Sequence, residues 1–391
     1  MYSEEDINSA VAAGALTPEA AASFRAHMTQ VREMPRGDEE NFRLINSFND
    51  IFVAIGAIIM LLAASAIGQQ IAGIFAPVPT YPGMTGQDLS EAQWNAWQAA
   101  QGLRTAMNLI FGGILVAATA WGLAEFFTRR RRMALPSIIL LLAYVCAVFA
   151  TFLGIGLALG GEPQTGEAGG IIASVAGLFA AGAAWVHWRR FMVPITVAAG
   201  AGAIAVTVLS FVFTLLDAAG MDRPFDAVLW FIFAAGLAIF AFAMRWDMSD
   251  PARTTRRSDV AFWLHLLAAP MLAHPLFYSL GVMDGGDAVG VGGALGVIAV
   301  YILFGVVALA VDRRALLVSA LAYVLAALTF LFDRFGAVEL NFALTALIIG
   351  SALLTLSAFW TPIRGKVVRM LPTEWRDRLP EIGALPATAS A

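Results

Sequence analysis

Residues 48–68 read FNDIFVAIGAIIMLLAASAIG, and this stretch decides the fold class. After Asp50 it holds no charged residue, and the hydroxyl of Ser65 is its only polar side chain. A bilayer core about 30 Å thick needs roughly 20 such residues in a helix, because every backbone N–H and C=O must be paired inside the segment. The stretch therefore predicts a transmembrane helix.

The rest of the chain has the same character. Of its 391 residues, 59% are hydrophobic and 13% are charged, whereas a soluble domain carries about 25% charged residues. This composition excludes a soluble nucleic-acid-binding protein, and the single cysteine, Cys146, excludes a disulfide-stapled secreted domain. The acidic N-terminal residues lack the basic start of a cleavable signal peptide. We predict an integral membrane protein that keeps its N-terminus.

Ten apolar segments are long enough to cross a bilayer, which predicts an all-α polytopic helix bundle. They are residues 48–68, 105–127, 135–159, 170–188, 191–216, 227–245, 260–283, 289–311, 315–332 and 340–360. The predicted organisation is then a lead-in region at 1–47, a membrane domain at 48–360 and a basic tail at 361–391.

The basic residues orient this bundle. With the N-terminus in the cytoplasm, every Lys and Arg falls on the cytoplasmic side except Arg104, Arg223 and Arg334. Such a bias is typical of inner-membrane proteins, whose short cytoplasmic loops collect positive charge. We therefore predict that both termini are cytoplasmic. The Ala- and Arg-rich composition favours a bacterial source, and thus the bacterial inner membrane as location.

The region before the first span predicts a helical hairpin. Gly14 is expected to end a first helix, and Thr17 followed by Pro18 to cap a second. Phe24 and the apolar residues one and two turns later form a stripe along one face of the second helix. A hairpin of this size is too small to bury that stripe itself. Residues 1–33 are thus expected to dock on a protein partner, a second copy or the membrane domain. A mobile surface hairpin is the alternative.

Two further segments outside the spans predict contact with the bilayer. Residues 77–104 form the one long outer loop and end in LSEAQWNAWQAAQGLR, which predicts a short helix lying along the interface. The tail places basic residues around Trp375, which suits the anionic lipid of the cytoplasmic face. These basic residues are Arg364, Lys366, Arg369, Arg376 and Arg378.

The seventh segment, VAFWLHLLAAPMLAHPLFYSLGVM, carries the main candidates for function. Pro270 and Pro275 each remove a backbone donor, which predicts a bent or broken helix of the kind that lines cavities in transporters. His265 and His274 are nine residues apart, so an ideal helix points them in opposite directions about 13 Å apart along its axis. His274 and Tyr278 are candidate pathway or binding residues. His265 is more simply an interfacial or hydrogen-bonded residue.

Other polar residues give weaker indications. Asp50 lies where the first span begins, where a polar residue most simply caps the span or binds lipid headgroups; the rival interpretation makes it a candidate for a polar cytoplasmic mouth. Glu125 and Arg129 have the spacing of a helix-end ion pair. No metal-binding, phosphate-binding or nucleophile motif occurs in the sequence, so we expect no metal, no cofactor and no enzymatic activity.

Two stretches carry a resemblance to a known group. AVAAGALTPEAAASF at 10–24 and GDEENFRLINSFNDIFVAIG at 37–56 precede many short helical hairpins and a basic tail. In this order of parts the chain resembles a group of bacterial multi-pass membrane proteins whose function is uncharacterised. The resemblance implies a membrane bundle but no activity, substrate or site residue.

Two classes of function fit these features. Tightly looped Gly- and Ala-rich helices with one proline-interrupted span favour a transporter or exporter of a small or amphipathic molecule, by analogy. Transport requires a water-accessible cavity near His274 and Tyr278. The alternative is a non-transporting scaffold or sensor that binds a partner through its N-terminal hairpin, and it requires a solidly packed bundle.

Overall fold

A computed structural model describes residues 4–33, 48–78, 90–160, 166–221, 224–251, 253, 255–281, 291–314, 316–317, 320–321, 323–325, 328, 341–376 and 379. Every element in these residues is helical, as the sequence predicts. They fall into two compact units, the N-terminal hairpin and the helix bundle, with the boundary between Phe42 and Arg43.

The hairpin consists of α1 (Glu4–Ala12) and α2 (Pro18–Glu33). Gly14 has φ +70°, a conformation that favours glycine, and ends the first helix as predicted. The Thr17 hydroxyl accepts a hydrogen bond from the Ala20 N–H at 3.1 Å and caps the second helix. Arg25 ties the two helices together by donating to Asn8 Oδ1 at 2.7 Å. The predicted helices and their turn are confirmed.

Within the described residues, eight long helices of the bundle are apolar enough to cross a membrane. They coincide with the first eight predicted spans. Their bounds are α3 (Phe48–Phe75), α4 (Glu91–Ala124), α5 (Ala134–Gly160), α6 (Gly166–Phe191), α7 (Ile195–Ala218), α8 (Pro224–Met248), α9 (Arg256–Ser279) and α10 (Val291–Val311).

Three helices follow at the C-terminus: α11 (Asn341–Ala358), α12 (Trp360–Arg369) and α13 (Thr373–Arg376). The chain bends by 76° between α11 and α12, and the two count as a ninth span when taken together. Most of the predicted span at 315–332 lies outside the described residues. The membrane helix bundle is therefore established, while the number of ten spans stays a prediction.

The predicted interfacial helix in the outer loop is wrong. Residues 91–104 are instead the first turns of α4, which continues without a break into the membrane. Ser90 caps this helix and exchanges hydrogen bonds with Gln93, and Gly102 is too weak a breaker to interrupt it. Arg104 then donates from Nη2 to the Gln69 carbonyl at 3.0 Å, near the end of α3. The loop is thus shorter than the sequence suggests.

Small residues let neighbouring helices approach closely. A Cβ atom added at Gly68 in α3 would lie 2.5 Å from the Cα of Gly112 in α4. Backbones this close pack by van der Waals contact without a side chain between them, which is a common way for helices to associate in lipid. The absence of a side chain at Gly68 therefore allows the backbones of α3 and α4 to lie this close together.

Helix α9 is the centre of the bundle. In an apolar stretch of 18 residues of this helix, 56% of the residues are buried inside the protein. In the corresponding stretches of the other long helices, 22–39% of the residues are buried. Its residues Val260, Ala269 and Phe277 belong to three separate clusters of the hydrophobic core. Both prolines lie inside one continuous helix, so α9 is not broken as the sequence suggested. Neighbouring helices hold it in helical conformation despite the lost backbone donors.

Candidate functional site

His265 lies on the buried side of α9, facing α8. Its side chain is completely inaccessible to solvent. The Nδ1 atom lies 2.8 Å from the carbonyl oxygen of Ala261 and 3.7 Å from Oδ2 of Asp247 at the end of α8. The edge of the Phe240 ring packs against the imidazole, with ring centroids 5.2 Å apart. The Nε2 atom has no hydrogen-bond partner in the part of the chain that the structure describes.

Asp247 forms a buried ion pair with Arg313, which follows the end of α10. The guanidinium donates from Nε to Oδ2 at 3.3 Å and from Nη2 to Oδ1. The same Nη2 also lies 3.1 Å from the carbonyl oxygen of Ser258 in the first turn of α9. Removing two charges from water costs several kcal/mol for each ion, and this geometry offsets the cost through direct pairing and added hydrogen bonds. The pair joins α8, α9 and α10 at one end of the bundle.

Asp312, the residue before Arg313, also connects separate segments of the chain. It accepts a hydrogen bond from the indole Nε1 of Trp360 at 2.7 Å and one from Nη1 of Arg253 at 2.9 Å. Arg364 in α12 places its Nε atom 3.6 Å from the same carboxylate. We call Asp247, Arg253, His265, Asp312, Arg313, Trp360 and Arg364 the ionic cluster.

Arg253 shows how strongly these charges interact. Burial lowers its pKa, repulsion from Arg313 lowers it further, and the carboxylate of Asp312 opposes both effects. A guanidinium nevertheless stays protonated in proteins. Arg253 therefore remains a cation held in place by Asp312, and its Nη2 also donates to the Asp312 carbonyl at 3.1 Å.

His274 and Tyr278 lie further along α9 and contact different helices. The Nδ1 atom of His274 is 2.8 Å from the hydroxyl oxygen of Tyr323. The Tyr278 hydroxyl donates to Oδ1 of Asp226, in the first turn of α8, at 3.4 Å. The rings of His274 and Tyr278 are neighbours, with centroids 6.4 Å apart. These two candidates are therefore brought together, while His265 belongs to the ionic cluster.

Asp50 is not part of this arrangement. It is buried in the first turn of α3, which packs chiefly on α4 and α5, whereas α9 packs chiefly on α7 and α8. The expected ion pair of Glu125 and Arg129 is confirmed at 3.3 Å. Arg190 at the end of α6 also binds Glu125, with Nε 2.7 Å from Oε1. This pair links α4 to α6 through a π-helical turn, Glu125–Arg130.

An apolar cavity of about 430 Å³ lies beside the ionic cluster. Its walls come from the final turns of α8 and α10 and from the C-terminal helices. The lining residues are Phe240, Met244, Met248, Val306, Val307, Ala310, Val311, Val367, Leu371, Trp375 and Leu379. Phe240 separates the cavity from His265, since its ring contacts both. We call this space the apolar cavity.

The sequence analysis missed both the ionic cluster and the apolar cavity. Asp247, Asp312 and Arg313 stand at the ends of predicted spans, where charged residues are ordinary and predicted to face water. Their withdrawal from water results from contacts between residues 48 and 66 positions apart in the chain. The one usable signal is that an Asp immediately precedes an Arg pair at 312–314. Among the described residues, no three His, Cys, Asp or Glu side chains are grouped as metal ligands.

No protein-family model, curated protein or solved structure matches this chain.

Proposed function

We propose that the protein is a transporter or exporter that moves a small or amphipathic molecule across the membrane along α9. The observation that carries the proposal is the position of α9, which is the most buried long helix and bears polar contacts along its length. Ionisable groups inside a membrane are costly and are commonly found on substrate or proton pathways. Here the central helix carries two histidines with polar contacts, His265 and His274, while His187 is buried in α6.

The polar groups of α9 are arranged in two levels. His265 contacts Asp247 in α8, and His274 contacts Tyr323 about 13 Å away along the helix axis. Tyr278 and Asp226 extend the second level by a further turn. A pathway along α9 would therefore pass titratable groups near the middle of the helix and near its C-terminal end.

Cysteine accessibility tests this proposal directly. Cys146 is the only native cysteine, so Cys146→Ser gives a cysteine-free chain. Into it we would place His274→Cys or Tyr278→Cys, with Ala269→Cys, on the fully buried face of α9, as a matched control. A membrane-impermeant methanethiosulfonate reagent should modify the first two sites in proteoliposomes and leave the control unmodified. Failure to modify either site would refute a water-accessible path and favour the scaffold.

The proposal includes an orientation and a location. The arginine-rich helix ends favour a cytoplasmic position for both termini in a bacterial inner membrane. Fusing alkaline phosphatase, which is active only outside the cytoplasm, after Met221 and after Arg314 tests this topology. The first fusion should be active and the second inactive, and the reverse pattern would invert the proposed orientation.

The scaffold remains the second candidate because of one feature of the hairpin. Phe24 in α2 is exposed, although Ile7 and Ala21 on the same hairpin are buried. An exposed aromatic side chain beside a small core suits docking on another protein. Phe24→Ser should then abolish crosslinks between the hairpin and its partner, with Ala22→Ser as the control. Unchanged crosslinks would exclude docking through Phe24.

A further inference from the structure

The apolar cavity lies at the level where a helix bundle meets lipid headgroups. On α8 its lining begins at Phe240 and ends at Met248, the last residue of the helix. On α10 it ends at Val311, again the last helical residue. Charged residues adjoin both helix ends, because the buried Asp247 and the partly buried Asp312 are the sequence neighbours of these two lining residues. The cavity therefore extends from the hydrocarbon region to the charged edge of the bundle.

The lining of the cavity selects for hydrocarbon. All of the described residues that line it have apolar or aromatic side chains, and none of these offers a carboxylate, amide, hydroxyl or guanidinium group. A sugar, nucleotide or ion would lose its hydration there without gaining hydrogen bonds. Two methionines, Met244 and Met248, give the wall the adaptable surface that suits flexible chains. The volume of about 430 Å³ falls in the range of roughly 300–1,000 Å³ usual for small-molecule sites.

Helix α12 carries exposed basic residues next to residues that line the cavity. Val367 and then Leu371 line the cavity, whereas Lys366 and Arg369 are exposed on the same helix. Arg376 is exposed beside Trp375, whose side chain also lines the cavity. Basic side chains at this depth attract anionic lipid headgroups. Apolar and basic surfaces therefore meet along one short helix.

The wall formed by α12 is fixed in place. Trp360 at its first turn donates to Asp312, and the guanidinium of Arg314 lies over the Trp360 ring at 4.9 Å. Arg364, one turn later, is buried beside the same carboxylate. A site whose walls are held before the ligand arrives binds at a lower entropic cost.

We propose that the apolar cavity binds an acyl chain of an anionic phospholipid, whose headgroup rests on the basic residues of α12 and α13. This inference deepens the proposed function, because it names an anionic lipid as the amphipathic molecule that the protein recognises. It can nevertheless be tested apart from transport, since lipid binding and the cysteine accessibility of α9 are separate measurements. Binding without accessibility would leave the lipid site standing and refute the transport path alone.

The experiment titrates the purified full-length protein with phosphatidylglycerol or phosphatidylcholine and counts bound lipid by native mass spectrometry. Ala310→Trp fills the cavity and should weaken binding of both lipids by about tenfold or more, since burial of the chain is lost. Leu303→Trp is the matched control, because Leu303 is exposed on the same helix and does not line the cavity. It should bind both lipids as the unmodified chain does. Equal binding by both variants would overturn the proposed chain site.

A separate variant tests the proposed contact between the lipid headgroup and the basic residues. Changing Lys366 and Arg369 together to Gln should weaken phosphatidylglycerol binding by about fivefold for each charge, and leave phosphatidylcholine binding unchanged. If the preference for the anionic lipid persists at full strength, the headgroup assignment is wrong.

A second measurement does not depend on the folding of Ala310→Trp. Phosphatidylglycerol brominated on its acyl chain should quench Trp375, and the quenched signal should be missing from Trp375→Phe. Identical quenching in the two proteins would place the chain elsewhere.

Discussion

The ion pair of Asp247 and Arg313 makes a quantitative prediction about stability. Both side chains are almost completely buried, with 1–2% of their surface exposed. Arg313→Met removes the cation, preserves most of the volume and leaves the Asp247 carboxylate without its partner. Since the carboxylate cannot be solvated where it lies, we expect the variant to lose about 3–5 kcal/mol of unfolding free energy.

The companion variants separate charge from packing. Asp247→Leu alone leaves Arg313 as an unpaired buried cation and should cost a similar amount. Combining Asp247→Leu with Arg313→Met replaces the pair by apolar groups, which is often neutral or better in buried sites. The double variant should therefore be more stable than either single variant, with a coupling of about 3 kcal/mol or more.

Unfolding in mixed micelles with increasing sodium dodecyl sulfate measures all four proteins under the same conditions. A variant at Arg245, which is exposed at the same helix end and has no hydrogen bond or ion pair described, controls for the general loss of an arginine. If the losses of unfolding free energy in the two single variants instead add, the double variant is the least stable protein. That result would refute the claim that the pair is buried and coupled. Such a result would mean that water reaches both charges.

Three further predictions concern other contacts. Gly68→Leu places a side chain against the backbone of α4 and should destabilise the fold by about 1–3 kcal/mol. Gly56→Leu on the same helix places a side chain where no neighbouring atom lies within 4 Å of the added Cβ, and it should leave the melting temperature unchanged. Trp360→Phe removes a hydrogen bond to the partly buried carboxylate of Asp312 and should cost about 1.5–3 kcal/mol in the same micelle assay; an effect no larger than that of Phe359→Leu would contradict this. Arg190→Gln breaks an exposed pair, so any drop in melting temperature should disappear at 1 M salt, and a salt-independent drop would argue for another role.

Hydropathy alone was sufficient to predict the membrane bundle. The run from Ile51 to Gly68 has one stable arrangement in a bilayer, because an unpaired backbone is too costly there. The same reasoning located the neighbouring spans. It was wrong where local signals are weak, as at Gly102, because a single glycine costs a long helix only about 1 kcal/mol.

The candidate site was predictable only in part. The polar residues of α9 stand out in the sequence because they interrupt an apolar segment. The sequence does not show that Asp312 meets Trp360, since that contact depends on how two distant helix ends pack. Charges at the ends of spans are usually solvated, so the burial of Arg313 could be recognised only in three dimensions.

The length of α4 has a practical consequence. With its π-helical turn the helix covers 40 residues, or about 60 Å at 1.5 Å per residue, which is twice the thickness of a bilayer's hydrocarbon core. Its first turns must therefore project beyond the lipid as a rigid rod that is continuous with the span. An antibody fragment raised against residues 91–98 would have no flexible joint between itself and the membrane domain. It would serve as an alignment marker for electron microscopy of the protein in a micelle.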